Sequence, residues 1–195
     1  MLRLRARTHP VMTPETLPVK LTYDDYVLIP DDGQRHEIID GMHYVTPAPG
    51  RKHQRVVVNL VWAIREFLEH HPIGEVYVSP FDVRLSRHDI VQPDVLFVRS
   101  ETLHILNDKN AAGAPDLAIE VLSSSTRKRD RSLKRDCYER LSVQEYWIVD
   151  PLRNAVTIYR RSGAALASAG DLTGADVLTT PLLPGFALSL ERLFR

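Results

Sequence analysis

Apolar residues recur at helical spacing across residues 53 to 70, where Val57, Leu60, Val61, Ile64, Phe67 and Leu68 share one face. That spacing predicts an amphipathic helix of about four or five turns. On either side the period shortens to that of strands. RHEIIDGMHYV reads as a hairpin around Asp40-Gly41, a two-residue turn suited to positive φ. EVYVS, FDVRL and DVLFV are further strand-like runs, the last directly after Pro93, which a strand tolerates at its start. DLAIEVL is almost continuously apolar, as a strand covered on both faces is. Residues 127 to 140 are mostly polar but space Leu133, Cys137 and Leu141 four apart, predicting a second helix. EYWIVD and AVTIYR form a strand pair about the turn at Asp150-Pro151. The remainder is expected to be loop, a short strand and a closing helix near LSLERLF. Ahead of the first hairpin, TYDDYVLI opens a short helix, with Thr22 as cap and Asp25 completing a capping box.

This order predicts a mixed α/β fold, a sheet flanked by helices rather than a βαβ array. It occupies one domain over residues 21–195. Residues 1–20, with Arg3, Arg5 and Arg7 and then prolines at 10, 14 and 18, are expected to be a flexible arm. An arginine-rich start is also a feature of targeting peptides, though this one is short, and Met12 is an alternative start. With 44% hydrophobic and 26% charged residues, the 195-residue chain has an ordinary soluble composition and length for a sizeable core. Its one cysteine, Cys137, excludes an intrachain disulfide, and its apolar stretches are too short to span a membrane. A cytoplasmic address is expected.

Twenty-five basic and 25 acidic residues cancel, which argues against coating nucleic acid by bulk charge. Locally, residues 127–140 hold seven basic residues against three acidic ones. Such a run is usually a solvated helix face, so its meaning depends on the chemistry beside it. No internal repeat, Gly-rich phosphate loop, GxSxG elbow or zinc-spaced Cys/His cluster occurs.

Three acids stand where a core-facing residue is expected: Glu37 in HEII, Asp94 at the head of DVLFV, and Glu120 in AIEVL. A buried carboxylate costs several kcal/mol unless it is paired or bound to metal. One alone reads best as a satisfied ion pair; three in a small domain favour a shared cation. Oxygen donors of this kind suit magnesium. Lys134 lies on the helix that follows the Glu120 strand through SSSTRK. It could lower the pKa of an attacking water or steady transition-state charge.

Taken in order, HEIIDG, QPDVLFV, GAPDLAIEVLSSST, DRSLKRDCYE, VQEYWIVDP and LPGFAL resemble the Uma-type family of restriction endonucleases, within the PD-(D/E)XK nuclease superfamily. The match runs from about residue 20 to the C-terminus. The superfamily's lysine usually stands two residues after the glutamate, but here that position is Leu122. In this branch the lysine moves to the next helix, four residues before a tyrosine, as in Lys134 and Tyr138. The usual Gly-Val before EYW is Ser142-Val143.

The resemblance implies a restriction-endonuclease-like core and a metal-dependent endonuclease. Asp94, Glu120 and the Val121 carbonyl would hold Mg2+, with Mn2+ as a substitute. Glu37 would bind it directly or through water, and Glu37, Asp94, Glu120 and Lys134 would form the catalytic set. His53, Arg127, Lys128 and Arg131 would contact nucleic acid, with DNA expected, and a homodimer would supply two sites. For His53 the plain alternative is an exposed helix-start residue. His70 and His71 need only the helix dipole. Trp147 and Tyr146 are expected in the core, and Asp116 and Asp150 at a strand edge and a turn. Rival readings are a catalytically silent nucleic-acid-binding module and a homodimeric interaction domain.

Overall fold

The computed structural model describes residues 19–195, so all but the last two residues of the expected arm, Met12 included, lie outside the described residues. A capping box starts the first element. Thr22 N donates to Asp25 Oδ2 at 2.8 Å and Asp25 N to Thr22 Oγ1 at 3.4 Å, opening α1 (Tyr23–Tyr26). The hairpin forms as expected from β1 (Arg35–Ile39) and β2 (Met42–Thr46). Its turn residues Asp40 and Gly41 have φ of 51° and 77°, the left-handed pair that suits strand twist. The amphipathic helix is α2 (Arg51–His70).

Next come β3 (Gly74–Val78), β4 (Asp82–Ser86), β5 (Asp89–Val91) and β6 (Val95–Arg99). A 3-10 turn and β7 (Asn110–Ala111) lead to β8 (Leu117–Val121). The basic segment is one helical run in three parts: α3 (Arg127–Arg129), a π-helical turn (Asp130–Lys134) and α4 (Arg135–Arg140). The chain closes with β9 (Glu145–Asp150), β10 (Ala155–Ser162), β11 (Ala165–Thr173), β12 (Val177–Leu178), β13 (Leu188–Ser189) and α5 (Leu190–Phe194).

A six-stranded mixed sheet, β11-β10-β9-β8-β6-β3, forms the middle layer. Only β8 and β9 run parallel in it. One face packs on α2 and the C-terminal elements through Val56, Leu60, Ile64, Phe97, Ile119 and Trp147. The other packs on the 127–140 helix through Leu96, Ala118, Ile148, Cys137 and Tyr138. Two features depart from the sequence reading. β1, β2, β4, β5 and β7 form a second sheet, which joins the second face through Ile39, Val83 and Val91. The stretch after AVTIYR is a nine-residue strand, not loop. ALASAGDLT buries only Leu166, so it carries little period-two signal, and pairing with β10 makes it a strand.

Candidate active site

Arg35 and Glu37 are two apart on β1, so strand alternation sends both side chains the same way. Glu120 sits in β8 among apolar residues, all buried. The β6–β8 register pairs Val95 with Ile119, and one step further sets Asp94 opposite Glu120. Facing residues of an antiparallel ladder project to one side of the sheet. Here alternation selects the side of Leu96, Ala118 and Leu122, which meets the 127–140 helix.

The four expected catalytic residues converge in this layer. Lys134 is wholly buried, with Nζ 2.7 Å from Glu37 Oε1 and 2.7 Å from Glu120 Oε1. One turn on, the Tyr138 hydroxyl donates to Glu120 Oε1 at 2.8 Å. Gln92 N donates to Glu37 Oε1 at 2.8 Å, and Arg129 Nη2 lies 3.5 Å from Glu37 Oε2. Asp94 is held from three directions: Arg35 Nη1 at 2.6 Å on Oδ1, and Val121 N at 2.8 Å and His53 Nε2 at 3.0 Å on Oδ2. His53 is therefore buried against Asp94 and is not an exposed helix-start residue.

Charge is distributed unevenly among the acids. Burial opposes ionisation of Asp94, but the His53 hydrogen bond and the Arg35 charge hold its carboxyl well below the usual range. Glu37 is also burdened by burial, yet Lys134, Arg35 and Arg129 bring it below its ordinary value. Burial pushes the Glu120 carboxyl up to about 8; Lys134 pulls against this, while Asp130, Asp94 and Glu37 reinforce it. Lys134 loses solvation by burial, but Glu120 and Glu37 more than compensate and keep it protonated.

Other expected contacts are turned elsewhere. Arg127 grips Asp150 with two hydrogen bonds of 2.6 and 2.9 Å, and Arg131 lies 3.6 Å from the same carboxylate. Lys128 is exposed. Asp150 also accepts from Leu152 N at 3.1 Å, fixing the turn after β9. Asp116 is buried at the edge of β8 on Arg99 and Thr102, and Tyr146 and Trp147 lie fully in the core.

The sequence reading missed Arg35, Gln92, Arg129 and Asp130. For the first two a signal existed, since each stands two residues before an expected acid, Glu37 or Asp94. Arg129 and Asp130 had none, because their orientation depends on the π-helical turn. Asp130 is buried beside Lys134, and burial raises its carboxyl against that lysine's pull.

Among the described residues, six buried side-chain atoms lack any hydrogen-bond partner. They are Arg35 Nε, Glu37 Oε2, His53 Nδ1, Arg129 Nε and Asp130 Oδ1 on residues of this centre, and Gln92 Oε1, whose amide group turns to Tyr26 and Asp82. Leaving such an atom unpaired costs about 1–3 kcal/mol, so the gathering of five in one place calls for an explanation. The carboxylate oxygens of Glu37, Asp94, Glu120 and Asp130 suit a hard divalent cation. Among the described residues no three His, Cys, Asp or Glu side chains form a ready-made metal cage. Magnesium does not need one, because it commonly takes one or two carboxylates and completes its shell with water and phosphate oxygens.

A protein-family model described as "Putative restriction endonuclease", Uma2, matches residues 23–191. No curated protein matches the sequence. Among solved structures, the fold resembles a "putative nuclease belonging to DUF820" from Anabaena variabilis ATCC 29413. Its TM-score is 0.76 at 20% identity, covering 89% of this chain and 97% of that one. The type IIG restriction endonuclease BpuSI aligns with a TM-score of 0.39 at 11% identity, over 73% of this chain and 15% of that one.

Proposed function

Since the chain belongs to the Uma2 family of restriction-endonuclease-like proteins, we propose that it is a magnesium-dependent endonuclease cutting DNA phosphodiester bonds at the Glu37–Asp94–Glu120–Lys134 centre. The observation that carries this reading is that, among the described residues, five of the six unpartnered buried side-chain atoms belong to Glu37 or to the Arg35, His53, Arg129 and Asp130 side chains beside these four residues. Asp94 and Glu120, with the Val121 carbonyl, are the groups that would hold the cation. Magnesium, when bound, polarises a scissile phosphate and makes a water more acidic; manganese can do the same.

The chain's own residues supply the rest. Lys134 stays charged between two acids, so it stabilises the extra negative charge of the phosphate in the transition state and is not the base. Glu37 holds that ammonium in place through Oε1. Arg35 and Val121 N fix the Asp94 carboxylate. His53 also orients Asp94, and its free Nδ1 offers a substrate contact. Lys128 is available to a flanking phosphate.

A double-strand cut needs two such centres, which a two-fold homodimer provides; sedimentation at micromolar concentration would reveal it. Among the described residues no helix is long and apolar enough to cross a membrane. The test is cleavage of end-labelled DNA with magnesium, with chelator, and by Glu120→Ala. Cleavage should need both the metal and Glu120. One observation favours a silent nucleic-acid-binding module instead: Glu37, Asp94 and Glu120 each already face a basic side chain. Metal-independent binding without cleavage across DNA and RNA substrates would favour that module and sink the enzyme reading.

A further inference from the structure

The arginines of the 127–140 helix are the obvious cations for a phosphate backbone, yet Arg127 and Arg131 both turn to Asp150. The first turns of α2 differ. Arg51, Lys52 and Arg55 are exposed, the first turn holds no acid, and among the described residues no carboxylate pairs with any of the three. They line a cleft of about 250 Å³ with Pro151 and Asn154 of the β9–β10 turn and Phe194. The next side chain along the helix, His53, is more than nine-tenths buried and reaches Asp94, and its Nδ1 has no partner.

Resting on the nuclease reading above, we infer that α2 is the rail for the nucleic-acid backbone: Arg51, Lys52 and Arg55, over the β9–β10 turn, bind phosphates next to the one at Asp94 and Glu120. The dimensions suit this. Four helical residues rise about 6 Å, while phosphates of one duplex strand recur about every 3.4 Å along its axis, so the rail spans about two of them. Contacts of this kind set position and carry no sequence preference.

The test is binding of a labelled DNA duplex two helical turns long, in chelator, across a series of salt concentrations. The full-length triple variant Arg51→Gln, Lys52→Gln, Arg55→Gln should bind more weakly. Its slope of log affinity against log salt should be shallower by about two. A charge-matched control, Arg84→Gln, Arg87→Gln, Lys109→Gln, removes three cations from β4 and the turns that flank β4 and β7 and should leave the slope nearly unchanged. Should the triple variant unfold, each single substitution in the rail should still flatten the slope, by up to about one. Equal slopes for rail variant and parent, or equal flattening in the control, overturn the rail and leave the nuclease reading standing. If the parent binds neither duplex, single-stranded DNA nor RNA, the nuclease reading falls, and the rail with it.

Discussion

The two ends of the parallel β8–β9 pair both bury acids and treat those around β8 differently, while Asp150 at the finishing end of β9 is clamped by Arg127 much as the starting-end acids are. At the starting end, Glu145 accepts from Trp147 Nε1 at 2.7 Å, Arg160 Nε at 3.0 Å and Thr180 Oγ1 at 3.1 Å. Beside it Asp116 accepts from Arg99 N at 2.9 Å, Arg99 Nε at 2.8 Å and Thr102. These carboxylates have enough donors to be complete. At the finishing end, Glu120 lies in a layer with Glu37, Asp94, Asp130, Lys134 and three unsatisfied nitrogens. Burial of an acid is therefore common to a structural clamp and to the proposed reactive centre. The difference lies in which groups remain unpaired, because incomplete hydrogen bonding is open to completion by a substrate or cation.

The sharpest way to break this contrast is to remove one acid at each end. Asp94→Ala or Glu120→Ala should abolish single-turnover cleavage of labelled DNA. Glu145→Gln should lower the melting temperature while cleavage by the folded fraction persists. If Glu145→Gln also abolishes cleavage, the two ends are not functionally distinct. A smaller loss is expected from Lys134→Ala, about two to three powers of ten in single-turnover rate. Calorimetry should find magnesium affinity retained, since no ligand is removed, and Lys134→Arg should rescue only in part because the guanidinium has another shape.

Acidity offers a third probe of the finishing end. Because the Glu120 carboxyl sits at about 8 in the free protein, cation binding near neutral pH must displace its proton. Magnesium affinity should rise with pH up to about 8, by up to about tenfold per unit, and then level off. The Glu120→Gln variant should lose that pH dependence along with most of its affinity. A flat profile in the parent would mean that the carboxylate is already ionised.

The smallest effects belong to clamps. Arg127→Ala removes a partly exposed partner from Asp150 and should cost about 1 kcal/mol in urea unfolding. The Asp89 carboxyl is buried, but Arg140, Ser86 and the Asp40 amide hold it below its ordinary value. Its stabilising share is present above the usual carboxylate pKa and lost as pH falls through the lowered one. Arg140→Gln should move the acid-unfolding midpoint slightly upward; no movement would remove Arg140 from that clamp.

Much of the fold was legible because its central elements are strongly periodic. α2, β6, β8 and β9 match the apolar spacing that predicts them, and the Asp40-Gly41 turn comes from its residue types. β11 was not, because small and polar residues pair as an edge strand without an apolar face. The separation into two main sheets depends on long-range pairing that no local pattern encodes. For the site, buried acids alone were weaker evidence than they looked. Among the described residues eight are buried, adding Asp89, Asp116, Asp130, Glu145 and Asp150 to the three singled out. Asp89, Glu145 and Asp150 also lie in buried strands, so what set Glu37, Asp94 and Glu120 apart was the ordered run of family-like motifs around them, with a lysine spaced to reach them. The placement of His53 was not legible, because a histidine near a helix start has no local signature of burial.

The π-helical turn over Asp130–Lys134 makes the length of this helix a matter of timing as well as of reach. A π turn accommodates one residue more than an α turn would, and so resets the angular phase between the helical residues on its two sides. Upstream, Arg127 and Arg129 face Asp150 and Glu37; downstream, Lys134 and Tyr138 face Glu120. Deleting one residue there would remove the wide turn that sets how the two groups of side chains are aimed at their separate partners. The segment should thus accept changes of residue at Arg131, Ser132 or Leu133 far more readily than any change in their number.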